Sequence, residues 1–171
     1  YPKDSIRTEG FENIENRYSG RFDIAASNIP FGDVAIYDPL FTASNDPVRR
    51  LAARSVHNYF FLKSVDMVRD GGLVAFITSQ GVLNAEQNRP VREWLMQRCE
   101  TVSAVRLPNN LFTDYAGTEA GSDLIILQKK ATGDNLSQRR QDFTESRQLS
   151  NGIRVNNLFQ SFFEFFSKPN F

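Results

Sequence analysis

The sequence predicts an α/β domain organised around a parallel crossover, and three stretches carry that expectation. The short apolar run Phe22-Asp23-Ile24-Ala25-Ala26 stops abruptly at Ser27-Asn28-Ile29-Pro30-Phe31-Gly32-Asp33, as a buried strand does when it runs into a loop. Val56 to Asp70 places Phe61, Val65 and Val68 at helical spacing, and Gly71-Gly72 is expected to supply the left-handed residue that ends the helix. Leu73-Val74-Ala75-Phe76-Ile77-Thr78 is continuous and rich in strand formers, so it reads as a strand buried on both faces. Strand, helix and strand in that order imply two parallel neighbours.

The remaining elements follow in chain order. The first 20 residues are polar with little periodicity and read as a lead-in. Between Val34 and Arg54, the prolines Pro39 and Pro47 with Asn45 and Asp46 predict a long loop holding one short helix. Asn88-Arg89-Pro90 opens a helix with proline in its first turn, and Val91, Trp94, Leu95 and Cys99 line its apolar face. A strand is expected over Thr101 to Leu107 and another over Ser122 to Leu127, with Lys129-Lys130 marking its exposed end. The sheet thus has about four strands within 21–130. Residues 131–152 turn polar and read as an exposed linker. The tail, 153–171, differs again: Leu158 to Phe171 holds six of the fifteen phenylalanines. Such an apolar segment must pack on this domain, on further chain, or on a second copy as a homodimer.

Bulk composition narrows the function classes. The 171 residues are 40% hydrophobic, which suits one globular core, and 20 basic against 20 acidic residues leave a formal charge of zero. Any contact with nucleic acid must therefore use local patches. A single cysteine, Cys99, excludes an internal disulfide, and with one histidine, His57, it falls short of a usual zinc set. No apolar run approaches the ~20 residues that span a bilayer, and no basic-then-apolar leader opens the chain. A cytoplasmic, metal-free protein is expected. The start at Tyr1 reads as entry partway into a longer protein.

The residues that carry chemistry lie just past the first strand, where ligands bind in open α/β sheets. Asn28-Ile29-Pro30-Phe31 resembles the Asn-Pro-Pro-Tyr/Phe motif of amino-group methyltransferases that act on nucleic-acid bases. An exocyclic amine conjugated with its ring is a poor nucleophile. Two acceptors that grip its hydrogens push the nitrogen toward tetrahedral character, and they help only when preorganised. The resemblance implies that the side-chain carbonyl of Asn28 and the backbone carbonyl of Ile29 are those acceptors. It also implies that Phe31 stacks on a flipped base, a contact that contributes roughly 1–3 kcal/mol. Pro30 keeps Ile29 extended, which helps aim its carbonyl. Ile29 departs from the commoner second-position proline, yet a backbone oxygen survives that change.

A collinear series extends the match: His57-Asn58-Tyr59-Phe60-Phe61-Leu62-Lys63, Asp70 to Ser79, Arg106-Leu107-Pro108-Asn109-Asn110-Leu111-Phe112 and Ala116-Gly117-Thr118-Glu119. Over roughly residues 20–130 the chain resembles the adenine-specific methylases of type I restriction subunits. It more closely resembles the methylase domains of large methylase–helicase proteins of phages and conjugative elements, where Asn-x-Pro-Phe-Gly-Asp is usual. The fold so implied is the C-terminal half of a class I S-adenosylmethionine-dependent methyltransferase sheet, Rossmann-like, with flanking helices. On that comparison Gly32 and Asp33 extend the catalytic loop, while Phe112 and Thr118 border the base pocket. S-adenosyl-L-methionine is the implied cofactor and DNA the implied partner.

Other residues read more plainly. His57 is expected as a polar residue at a helix start, since this amine chemistry needs no strong general base. Trp94, Cys99, Phe60 and Phe61 are expected in the core. Arg49, Arg50 and Arg54 are candidates for contact with DNA phosphates. The ten glycines include no Gly-x-Gly, so the cofactor's glycine turn and the first strands of the fold are expected upstream of Tyr1, in a missing N-terminal part without which this chain would not methylate. The cofactor residues are left unassigned. Two other readings remain: an inert methyltransferase-like module that engages DNA or partner proteins, and a methyltransferase acting on RNA or on a protein glutamine, whose amide nitrogen is also conjugated.

Overall fold

The computed structural model describes Lys3 and residues 6–32, 34–108, 121–131 and 140–159. Two single-turn helices, Phe11–Asn13 and Asn16–Tyr18, precede β1 (Phe22–Asn28). Then come α1 (Pro39–Thr42), α2 (Pro47–Ala52), α3 (Val56–Met67), β2 (Val68–Ser79), α4 (Gly81–Asn84), α5 (Arg89–Arg98), β3 (Cys99–Arg106) and β4 (Ser122–Lys129). A short helix α6 (Arg140–Thr144) and a small hairpin of β5 (Ser146–Gln148) and β6 (Arg154–Asn156) follow.

The main sheet runs β1-β2-β4-β3. As the pattern predicts, β1 and β2 are parallel, with Ala26 opposite Ala75 and Asn28 opposite Ile77. The next unit departs from a simple repeat. Strand β4 inserts between β2 and β3 and is antiparallel to both, so β3 does not pair with β2. The unbroken apolar run in β4 suits that central position, because Ile125 and Leu127 are fully buried and the backbone is bonded on both sides.

The glycine pair also acts differently from expectation. Helix α3 ends at Met67 and β2 begins at Val68, so Gly71, at φ 75°, bends the first part of a strand instead of capping a helix. Beside it, a Cβ on Gly72 would lie 2.8 Å from the Arg69 carbonyl oxygen and 3.0 Å from that of Asp23. Glycine is what lets β1 and β2 approach where their register shifts between Phe22 and Ile24.

Helices α2, α3 and α5 pack together, with α3 against β1 and β2 and α5 against β3. Val74, Phe76, Ile125 and Leu127 point into that packed face, while the alternate residues Leu73, Ala75, Ile77, Leu124 and Ile126 are only partly buried. Val91, Trp94, Leu95 and Cys99 join the core as their spacing predicts, and so does Phe61, whereas Phe60 is partly buried. Within the span read as a polar linker, residues 140–149 carry α6 and β5, and Phe143 is fully buried. Arg92 anchors this segment. Its guanidinium is buried and donates to the carbonyls of Thr144 (3.0 Å), Val82 (3.1 Å) and Ala85 (2.7 Å), and burial pulls its pKa down to about 10.

The Phe61 ring lies 5.1 Å from Phe76 in an edge-to-face arrangement and is fully buried between α3 and β2. Phe61→Ala is expected to lower unfolding free energy by about 3–5 kcal/mol through lost burial and a residual cavity. Urea denaturation should show this as a lower midpoint with an unchanged slope.

Candidate functional site at the carboxyl edge of the sheet

Three parallel-running strands end on one edge: β1 at Asn28, β2 at Ser79 and β3 at Arg106. The loop after β1 is fastened there before it turns. The Ile29 N–H donates to the Ile77 carbonyl (3.0 Å), and the Ile29 side chain is fully buried. Its neighbours face outward: Asn28 and Pro30 are exposed, and Phe31 is 38% exposed. Gly32 follows at φ 147°, a backbone conformation that side chains disfavour. Asp33, Phe112 and Thr118 lie outside the described residues.

Phe31 does not stand alone. Its ring meets His57 edge-on at 5.9 Å, and His57 Nδ1 is 2.9 Å from the Thr78 hydroxyl. Both partners of that hydrogen bond are buried. His57 is therefore more than a polar residue at a helix start: it joins the motif loop to α3 and β2.

Behind the loop sits a charged network that sequence reasoning missed. Asp38 is 1% exposed and accepts from the Tyr59 hydroxyl (2.7 Å), the Lys63 ammonium (3.0 Å) and the Leu40 N–H (2.9 Å). Lys63 also donates to the Glu12 carbonyl (3.0 Å). Burial by itself raises the Asp38 carboxyl, but these hydrogen bonds outweigh it and hold the group below the usual carboxylate range. Burial, reinforced by the bond to Asp38, pushes the Tyr59 phenol well above its ordinary value.

Two Asp-Pro pairs were the overlooked signal. Asp38-Pro39 and Asp46-Pro47 each start a helix, with the aspartate accepting the N–H of Leu40 or Val48 and proline in the first turn. The expected long loop with one short helix is thus two capped helices, α1 and α2.

The three arginines separate. Arg49 is committed inward: its fork holds Asp66 at 2.7 and 2.9 Å, and its guanidinium lies 5.1 Å from the Phe41 ring and 5.5 Å from that of Trp94. Arg50 and Arg54 are exposed, with Arg50 donating to the Ser44 carbonyl. At the end of β3, Arg106 pairs with the buried Asp123 (3.0 Å), bonds Asn84 (3.1 Å) and lies 4.2 Å from the Phe159 ring. Among the described residues, no cluster of three His, Cys, Asp or Glu side chains forms a metal site, and no helix is long and apolar enough to cross a membrane.

The α/β fold resembles that of S-adenosylmethionine-dependent methyltransferases. A Listeria monocytogenes protein assigned to the class I S-adenosylmethionine-dependent methyltransferases superposes on 68% of this chain and 34% of its own, with TM-score 0.52 and 19% identity. A Vibrio vulnificus modification subunit assigned to a type I restriction enzyme superposes on 89% of this chain and 32% of its own, with TM-score 0.54 and 14% identity. The N-6 DNA methylase profile matches residues 2–161, and the chain belongs to that family. Defense against restriction protein B of Escherichia phage P1 is 25% identical over 133 residues, which is 75% of this chain and 6% of the phage protein. The chain therefore spans a small part of that relative's length.

The Asp38 network yields a pH signature. A carboxylate whose folded pKa is depressed contributes stability that is present above its unfolded value, about 3.9, and is lost as pH falls through the folded value. Asp38→Asn leaves Lys63 buried without its counter-ion, so a loss of about 3–5 kcal/mol is expected near neutral pH. The gap in melting temperature between wild type and Asp38→Asn should close as pH drops through the acid range. A gap that stays constant there contradicts the assignment.

Proposed function

We propose that this chain is the target-base half of a DNA adenine-N6 methyltransferase that uses S-adenosyl-L-methionine. The observation that carries the reading is the loop at the carboxyl end of β1. There, the backbone of Ile29 is pinned to Ile77 while Asn28 and Phe31 remain presented outward. Family membership supports amino-group chemistry.

In this reading a flipped adenine stacks on Phe31. Its N6 hydrogens are donated to the Asn28 side-chain carbonyl and the Ile29 backbone carbonyl. These acceptors draw the nitrogen lone pair out of conjugation as methyl transfer begins, and their value lies in being held before the base arrives. Burial of the Ile29 side chain and its N–H bond to Ile77 supply that rigidity on one side. Contact of Phe31 with His57, itself bonded to Thr78, supplies it on the other. Gly32 and Asp33 continue this loop, Phe112 and Thr118 border the base, and Arg50 and Arg54 meet the DNA backbone.

The residues present do not fit the whole cofactor. No Gly-x-Gly occurs in the sequence, so no turn of that kind is available to bring backbone close to it. The cofactor supplies the electrophilic methyl group when bound. This chain's own residues hold and polarise the accepting nitrogen.

The test is methyl transfer from labelled cofactor to adenine-containing DNA by the longest natural protein that contains this chain. Asn28→Ala should lower turnover by about 10²-fold or more, the scale for removing one preorganised polar group. Ile29→Val should stay within a few-fold of wild type, because the proposed role uses its backbone oxygen. Full activity in Asn28→Ala would overturn the catalytic assignment.

A further inference from the structure

A cavity is lined in part by His57, the residue whose ring meets Phe31 of the motif loop. It encloses about 410 Å³ and is lined by Arg54, Ser55, His57, Asn58, Ser79 and Asn88, among others. Neither Asn28 nor Phe31 reaches it, so it is not the place of the target base proposed above.

One wall is a directed chain of hydrogen bonds. The Gly81 carbonyl can only accept, so the Asn88 amide that meets it must present its NH2 group (2.8 Å). That orientation turns the Asn88 side-chain oxygen toward Asn58, whose own NH2 donates to it (2.8 Å). The direction of the chain is thereby fixed, and the Asn58 side-chain oxygen is left as an acceptor. It has no hydrogen-bond partner although Asn58 is only 2% exposed. A buried acceptor without a donor is unfavourable, and a ligand bearing an N–H group would satisfy it.

The rim supplies the complementary charge. Arg54 lines this cavity and also a shallower one of about 400 Å³ that it shares with Arg50 and Tyr37. Tyr37 is 79% exposed. Two exposed guanidinium groups and an open aromatic ring therefore flank a pocket whose lining includes Asn58, with its buried and unpartnered oxygen. Phosphate contacts, stacking and base-edge hydrogen bonding are the three modes by which an unstacked nucleotide is held.

We propose that this cavity binds a nucleotide of the same DNA strand next to the target base. Its phosphate lies at Arg54 and an N–H group of its base donates to the Asn58 side-chain oxygen. The site would then read a flanking position while Phe31 and Asn28 engage the target. Its link to a neighbouring target rests on the methyltransferase reading, but its capacity to hold a nucleotide does not.

The experiment is a nuclear magnetic resonance titration of the chain with dAMP, dGMP, dCMP and dTMP, each compared with inorganic phosphate. At least one nucleotide should move the side-chain amide signals of Asn58 and Asn88 with millimolar affinity. Phosphate alone should leave the Asn58 amide unmoved. Arg54→Ala, a change at an exposed side chain that leaves the fold intact, should weaken nucleotide binding roughly fivefold or more through loss of one charge-assisted contact. The proposal is overturned if no nucleotide moves the Asn58 amide, if phosphate alone moves it equally, or if Arg54→Ala binds as wild type does. Failure of methyl transfer by the longer protein would overturn the methyltransferase reading while leaving this binding result standing.

Discussion

Asp38 stands where three parts of the chain meet. It starts α1 by accepting the Leu40 N–H, and it receives Tyr59 and Lys63 from α3. Through Lys63 it reaches the Glu12 carbonyl in the segment before β1. The chain that leaves the motif loop is thereby tied to α3, the helix that carries His57. Exposed pairs such as Arg89 with Glu93 contribute little. A buried pair stripped of one partner costs several times more, so α1 and α3 are expected to hold one relative position.

That constraint bears on two supports of the motif loop. The Ile29 N–H bonds Ile77, and the Phe31 ring meets His57. Both supports belong to elements that the Asp38 network and the α3–β2 packing keep in place. Asn28 can remain exposed at the end of a strand and still be positioned, because its backbone continues the register of β1 with β2. Electrostatic assistance to a weakly nucleophilic amine depends on that kind of fixed placement.

Much of the architecture was legible in the sequence because apolar period and turn chemistry agreed. The β1 run, the α3 spacing, the proline-started α5 and the unbroken β2 run all pointed to elements that the structure contains. Strand order was not legible. Nothing in the local pattern of Ser122 to Lys129 distinguishes a strand added at an edge from one inserted between two others, since both are apolar. Gly71 misled for a related reason. A left-handed glycine ends helices and also bends strands, and neighbours across the sheet decide which.

At the site, sequence found the loop that faces outward and missed what holds it. Asn28 to Phe31 stands out because its residue types suit a recognisable chemistry. Asp38, Tyr59 and Lys63 are separated by 21 and 25 positions, and only folding brings them together. Their local signal, aspartate before proline, was available but predicts a cap and not a buried ion pair. Arg49 shows the converse: a cationic cluster suggested DNA contact, yet Asp66, 17 residues away, takes its fork.

The central claim is that the loop at the end of β1 activates the N6 amine of adenine in DNA. The most direct measurement is to digest DNA after reaction with labelled cofactor and the longest natural protein containing this chain, then identify the nucleoside that carries the methyl group. Label in N6-methyldeoxyadenosine is the predicted result. Label found only in RNA or in protein glutamine, with none in DNA, would contradict the account.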